Sequence, residues 1–268
     1  MEGTGGGGGD AGGHHWMVLN NRAPIAAHMQ NLLPPDSPAA KGLALEIGSG
    51  SGAQLELLAA TFAHLQWRPS EFCPGESVVR GFYEQGPDGP ELGHPTQKVR
   101  TLAELDAVGE KFENVLPAVG LDGSAPWASW PSAVTQSGTG SYAVVFCSNV
   151  VHIAPWAVAE GIFAGAAVAL RPGGSLVFHG PFQIDGKCVN DATQLWDAQM
   201  RGIDDGTGFV RPDADEGYGV REVSEMVAEG AKHGLRHVAT EHPVGPAKNY
   251  LLQFVKGSHS ETATEARQ

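Results

Sequence analysis

A short apolar run ends in an acid, breaks into alternating glycine and serine, and continues as a helix-forming segment. No other feature restricts the fold of this chain as strongly. Residues 43–52 read LALEIGSGSG, and AQLELLAATFAH follows with Leu55, Leu58, Phe62 and Leu65 at helical spacing. A buried strand that turns through glycines straight into a helix is the opening of a βαβ unit. Gly48 can supply the turn, Gly50 lets a ligand approach backbone that carries no Cβ, and Gly52 lets the helix start close to the strand.

The rest of the chain keeps the same alternation. LQWRPSE reads as a second strand stopped by Pro69, and the Gly- and Pro-rich residues 75–97 read as an inserted loop. KVRTLAELDAVGEKFENVL reads as a helix and AVGLD as a short strand. YAVVFCSNVVHI is almost continuously apolar up to Asn149, the pattern of a strand buried on both faces. VAEGIFAGAAVAL is helical up to an RPGG turn, SLVFHGPF is a strand, and VSEMVAEGAKHG is a helix closed by glycine. LRHVATEHPV and NYLLQFVK end the pattern as an antiparallel pair. The order predicts an α/β fold: a doubly wound, Rossmann-like, mainly parallel sheet with helices on both faces and a C-terminal antiparallel strand pair. Residues 14–256 are expected to form one domain, between disordered tails at 1–13 and 257–268.

Composition excludes some partners. The 268 residues carry a formal charge of −13, so no overall field draws the chain to nucleic acid or an anionic membrane, and no basic–aromatic surface interleaves along it. A leader pattern and a spanning apolar run are both missing from the sequence given, and the three cysteines (Cys73, Cys147, Cys188) form no CxxC pair. A cytoplasmic protein with reduced thiols is the expectation. His14 and His15 lack metal-ligand spacing, and no metal site is expected.

Two cofactor classes compete for the glycine loop. Gly48, Gly50 and Ala53 satisfy the dinucleotide pattern. Gly48, Gly50 and Gly52, led by Glu46, make the tighter pattern that resembles motif I of S-adenosylmethionine-dependent methyltransferases. Glu71, at the end of the second strand, can accept hydrogen bonds from both ribose hydroxyls and suits either cofactor. Asp122, at the end of the third strand, sits where methyltransferases commonly place an acidic or polar residue near the adenine, and it favours the methyl donor. Trp127 either flanks the base or packs; Trp130 is read as packing. A Tyr-x-x-x-Lys relay is missing, which weighs against the alternative of an NAD(P)-binding oxidoreductase.

Several motifs occur in one order: NNRAPI, EIGSGSG, WRPSE, LDG followed by a tryptophan, SNVVHIAPW and LRPGGSLVFHGPF. Together they resemble the methyltransferase-like 26 family, a class I S-adenosylmethionine-dependent methyltransferase group of unassigned substrate. The resemblance implies a seven-stranded class I fold. It implies that the cofactor site is lined by Glu46, Gly48, Gly50, Glu71 and Asp122, with Asn149 beside the methyl group; Ser49 and Gly52 of the same loop are expected to contact the cofactor as well. Three places depart from the family: Ala53-Gln54 replaces its Gln-His, the 75–97 loop is longer, and Arg221-Glu222 stands for its Arg-Asp.

Methyl transfer needs positioning and desolvation of the acceptor more than a dedicated base. Asn149 and His152, just after the fourth strand, are the candidate catalytic residues. Asn149 can accept a hydrogen bond from an amine or hydroxyl, and His152 can act as a base. Their bland alternatives are a loop-capping Asn and a packed His. His179 and Phe182 either line the acceptor pocket or pack. The resemblance implies Asn21 and Arg22 as a lid. The expected function is methylation of a small molecule or a protein side chain; a catalytically inactive interaction protein of the same fold is the other reading.

Overall fold

The computed structural model describes residues 16–34, 36–37, 41–73, 78–81, 97–203, 215 and 217–257. The expected tail at 1–13, residues 258–268 of the second tail, His14, His15 and most of the 75–97 loop lie outside the described residues.

The first half contains α1 (Trp16–Leu32), β1 (Gly42–Ile47), α2 (Ala53–Thr61), β2 (Leu65–Glu71), β3 (Val78–Gly81), β4 (Gln97–Arg100), α3 (Leu102–Gly109), β5 (Val119–Gly120) and α4 (Ser132–Thr135). The second half contains β6 (Tyr142–Ser148), α5 (Trp156–Ala169), β7 (Leu170–Gly180), β8 (Phe182–Ile184), β9 (Lys187–Cys188), α6 (Asp191–Met200), β10 (Arg221–Glu222), α7 (Val223–Lys232), β11 (Leu235–Val244) and β12 (Asn249–Lys256).

Seven strands form one sheet in the order β11-β12-β7-β6-β1-β2-β5. Within it β12 alone runs against the others, pairing antiparallel with both β7 and β11. The expected α/β sheet with a C-terminal antiparallel pair is therefore observed. Each face carries its own apolar layer. Leu45, Val145, Cys147, Phe178 and Leu252 pack against α5 and α7. Ala44, Phe146, Val177 and Leu251 pack against Ile25 and Met29 of α1, Leu55 and Leu58 of α2 and Leu105 of α3. The chain leaves β1 towards β2 and β5, then returns to β6 on the other side of β1. The carboxyl ends of β1 and β6 thus flank the crevice where doubly wound sheets bind ligands.

Local details differ from the sequence reading for physical reasons. Pro69 does not stop β2, which runs on to Glu71. Trp67 and Glu71 turn their backbone groups to the outer neighbour, so Pro69 between them does too. The outer ladder is interrupted there, between the bridge at Val115 and the pairing at Val119, so no bond is lost by the missing N–H. RPGG is not a turn before a strand but a bulge inside β7: Leu170 pairs with Tyr142, and the next partners are Ser175 and Val144. The inserted segment is not all loop, because Val78–Gly81 near its start pairs antiparallel with Gln97–Arg100 at and beyond its end. The helix read from Lys98 onward starts only at Leu102, where Thr101 and Glu104 form a capping box, and it ends by Gly109.

Three helices were not anticipated, the shortest being α4. Helix α1 buries Ile25 and Met29, and Leu33 just past its end continues the four-residue spacing; Pro24 lies inside the helix. Helix α6 is capped by Asn190, whose side chain accepts from the Thr193 N–H. Among the described residues no helix is long and apolar enough to cross a membrane.

Candidate functional site

The glycine loop sits at the carboxyl end of β1. All three glycines adopt left-handed backbone, with φ of 76° at Gly48, 57° at Gly50 and 79° at Gly52. The N–H groups of Gly48 and Ser49 both donate to Ser70 O, and the Gly50 N–H donates to Glu71 Oε2 at 2.7 Å. The loop is therefore drawn over the end of β2. A Cβ on Gly52 would lie 2.9 Å from Val108 Cγ1 of α3, so the third glycine is required for helix packing as well as for its φ.

Two carboxylates flank this loop. Glu71 is buried, and its Oε1 also accepts the Phe72 N–H. Its first structural task is to shape the loop, which the sequence reading did not include. Glu46 is 1 % exposed, and its Oε2 has no hydrogen-bond partner. Burial pushes its carboxyl up from 4.5 to about 7, against the hydrogen bond to Ser49 and with some help from the Glu71 charge. Asp122 follows β5, where the Leu121 N–H donates to Glu71 O. It is exposed, and Oδ1 accepts both the Ser124 N–H and hydroxyl, closing a turn.

The second cluster stands at the ends of β6 and β7. Asn149 has φ of 55°, and its N–H donates to His179 O. A Cβ on Gly180 would lie 3.4 Å from His152 Nδ1 and 3.7 Å from Asn149 Oδ1, so both candidate catalytic side chains border this glycine. His152 is buried against the Trp196 ring, 5.0 Å away. Arg221 holds the loop that carries it, donating to the carbonyls of Val151, Ala154 and Gly217. Glu222 accepts the N–H groups of Asp185 and Gly186 at the β8–β9 turn. The Arg-Glu pair thus organises the loops around the site.

On the opposite side of β6 and β7 lies a polar relay: Ser148 Oγ is 2.9 Å from His179 Nδ1, and His179 Nε2 is 3.4 Å from Asn249 Nδ2. With the amide nitrogen turned towards Nε2, that nitrogen accepts, and Nδ1 donates to Ser148. Burial holds His179 down to about 3, so the ring is neutral. Of its two expected roles, His179 takes packing, as does Phe182, which is fully buried. Trp130 packs as expected, against Gly165, and donates to Ala125 O. Trp127 rests on Trp130, 5.3 Å away, and on the apolar layer under α5. Asn21 and Arg22 are not a loose lid. Asn21 is buried against Gly245, and Arg22 pairs with Glu56 of α2 at 3.5 Å, because α1 packs along α2.

The structure thus gathers Glu46, Gly48, Ser49, Gly50, Gly52 and Glu71 around one loop, leaves Asp122 two residues beyond the pairing of Gly120 with Glu71, and brings Asn149 and His152 to Gly180. Sequence reasoning missed Ser148, Trp196 and Asn249 as neighbours of the site. Gln54 was visible only as a departure from a family pattern, yet its side chain lies buried at the start of α2.

Comparisons extend this picture. The profile of a family described as protein of unknown function (DUF938) matches residues 94–256. The fold resembles the solved structure of mitomycin 7-O-methyltransferase MmcR, with a TM-score of 0.58 and 14% identity over 90% of this chain and 55% of that one. An O-methyltransferase family protein from Burkholderia thailandensis gives 0.56 and 11%, over 88% and 57%. Human N-acetylserotonin methyltransferase, solved in complex with SAM, gives 0.54 and 11%, over 89% and 52%. The chain spans a little over half the length of these structures, and the likeness establishes the class I methyltransferase fold.

Proposed function

The chain belongs to the family described as protein of unknown function (DUF938), and we propose that it is an S-adenosylmethionine-dependent methyltransferase acting on a small molecule or a protein side chain. The observation that carries this reading is the loop of left-handed glycines drawn onto Glu71, with the orphaned Glu46 Oε2 beside it. A buried acceptor with no partner suits a cationic donor, such as the ammonium of the cofactor's amino-acid end. It opposes the pyrophosphate of a dinucleotide, which would stand against the charges of Glu46 and Glu71. Glu71 can serve the loop N–H groups and a ribose diol together, because a carboxylate offers about four acceptor positions. Asp122, at the next strand end, borders the adenine side.

Bound there, S-adenosylmethionine supplies a methyl group on a positively charged sulfur for in-line displacement. The chain's own residues hold and desolvate the acceptor. Asn149 Oδ1 accepts from the acceptor's N–H or O–H, and His152 takes up its proton. Motifs shared with the methyltransferase-like 26 family support the same placement, and so does the likeness to methyltransferase structures.

Calorimetry with S-adenosylmethionine and S-adenosylhomocysteine tests the reading. The wild type is expected to saturate with both, and Gly50→Arg, which fills the loop at a left-handed position, with neither. A wild type that binds neither, or a Gly50→Arg variant that binds equally well, overturns it. Turnover on a panel of acceptors, lost in Asn149→Ala, separates an enzyme from an inactive interaction protein.

A further inference from the structure

We infer that Gln54 is a specificity residue that recognises the carboxylate of the cofactor's amino-acid end, an inference that rests on the methyltransferase reading above. Gln54 is the second residue of α2 and only 5% exposed, and its Nε2 is fully buried with no hydrogen-bond partner. Leaving a buried amide donor unpaired is costly, so such a group is kept where something else completes it. Side chains on a helix lean towards its N-terminus, which directs this amide to the glycine loop.

The helix start adds an independent observation. Gly52 is the N-cap of α2 and brings no side chain to cap it, so the first N–H groups of the helix receive no side-chain oxygen from that position. An uncapped helix start with a buried N–H donor beside it suits an anion. The one Arg or Lys of the packed helix α1, Arg22, pairs with Glu56. Glu46 faces the same layer, because it follows Ala44 by two residues along β1, and its orphaned oxygen suits a cation. The unpaired Nε2 donor of Gln54 and the unpaired oxygen of Glu46, on either side of one loop, match a zwitterionic α-amino acid. Neither adenosine nor a pyrophosphate offers that pairing. The residue that departs from the family's Gln-His is therefore the one that reads the tail.

Titration calorimetry on the full chain distinguishes this from general cofactor binding. S-adenosylhomocysteine carries the amino-acid end; 5′-methylthioadenosine lacks it. For Gln54→Leu, S-adenosylhomocysteine affinity is expected to fall about 10-fold, the scale of one hydrogen bond to a charged group. Binding of 5′-methylthioadenosine should stay unchanged. Gln54→Glu should lose more, through repulsion of the carboxylate, again without loss of 5′-methylthioadenosine. Thermal unfolding checks the fold, and Gln54→Leu should not melt below wild type because it removes an unpaired buried amide. Wild-type affinity in both variants, or equal loss of both ligands, overturns the role of Gln54 alone. A wild type that binds neither ligand overturns the methyltransferase reading and this inference with it.

Discussion

Replacing Glu46 by glutamine should make the ligand-free protein more stable at alkaline pH, not less. The folded chain raises this carboxyl from 4.5 to about 7, chiefly by burial. A raised carboxyl means that the folded state holds the proton more tightly than the unfolded chain. The protonated group's contribution is therefore fully present below 4.5 and is lost as pH rises through 7. At roughly 1.4 kcal/mol per pH unit, the folded state carries a penalty of about 3 kcal/mol once the carboxylate is ionised. Glu46→Gln removes that penalty. The variant should match wild type near pH 4.5 and exceed it by up to about 3 kcal/mol at pH 8. Urea unfolding of both proteins across this range measures the difference, which also cancels the general repulsion of an acidic chain. Identical pH slopes in wild type and variant would refute the reasoning. Saturating S-adenosylhomocysteine should stabilise wild type more than the variant at pH 8, since its ammonium then meets the ionised carboxylate.

Gly180→Ala places a methyl group at ordinary contact distance from His152 Nδ1 and close to Asn149 Oδ1, so the fold should survive. Turnover is expected to drop about 10-fold or more with cofactor affinity unchanged, as misplacement at a reacting centre costs rate; a drop in cofactor affinity of the same size would contradict it. Arg221→Lys should lose most of the carbonyl bonds that hold the loop carrying His152. Urea unfolding should show a loss of about 1–3 kcal/mol, and hydrogen exchange should speed up at residues 150–154. Unchanged exchange there would rule out the stapling role.

Legibility in the sequence followed the strength of local signals. The strands LRHVATEHPV and NYLLQFVK lie where their apolar patterns put them, and so does the helix VSEMVAEGAKHG up to its closing glycine. The placement of the glycine loop was legible too, because its acids stand at strand ends and its glycines between a strand and a helix. Helix α1 was hidden by a proline within it. Pro69 read as a stop because an interrupted neighbouring ladder cannot be seen in one strand's residues. The relay of Ser148, His179 and Asn249 was out of reach. Its partners are separated by 31 and 70 positions, and only strand register brings them together. Glu71 was legible as an acid at a strand end but not as the clamp on Gly50, since that bond depends on how the loop folds back.

The reversed direction of β12 carries a temporal consequence. Its first residue, Asn249, reaches the carboxyl edge of the sheet only because the strand runs backwards, with Tyr250 beside Gly180 and Leu251 beside His179. The glycine loop, by contrast, belongs to the first βαβ unit. During synthesis the glycine loop can therefore form early, while the sheet edge beside Gly180 and His179 stays unfinished until β12 has left the ribosome and inserted between β7 and β11. A nascent chain can shape its glycine loop well before the far half of its sheet is closed.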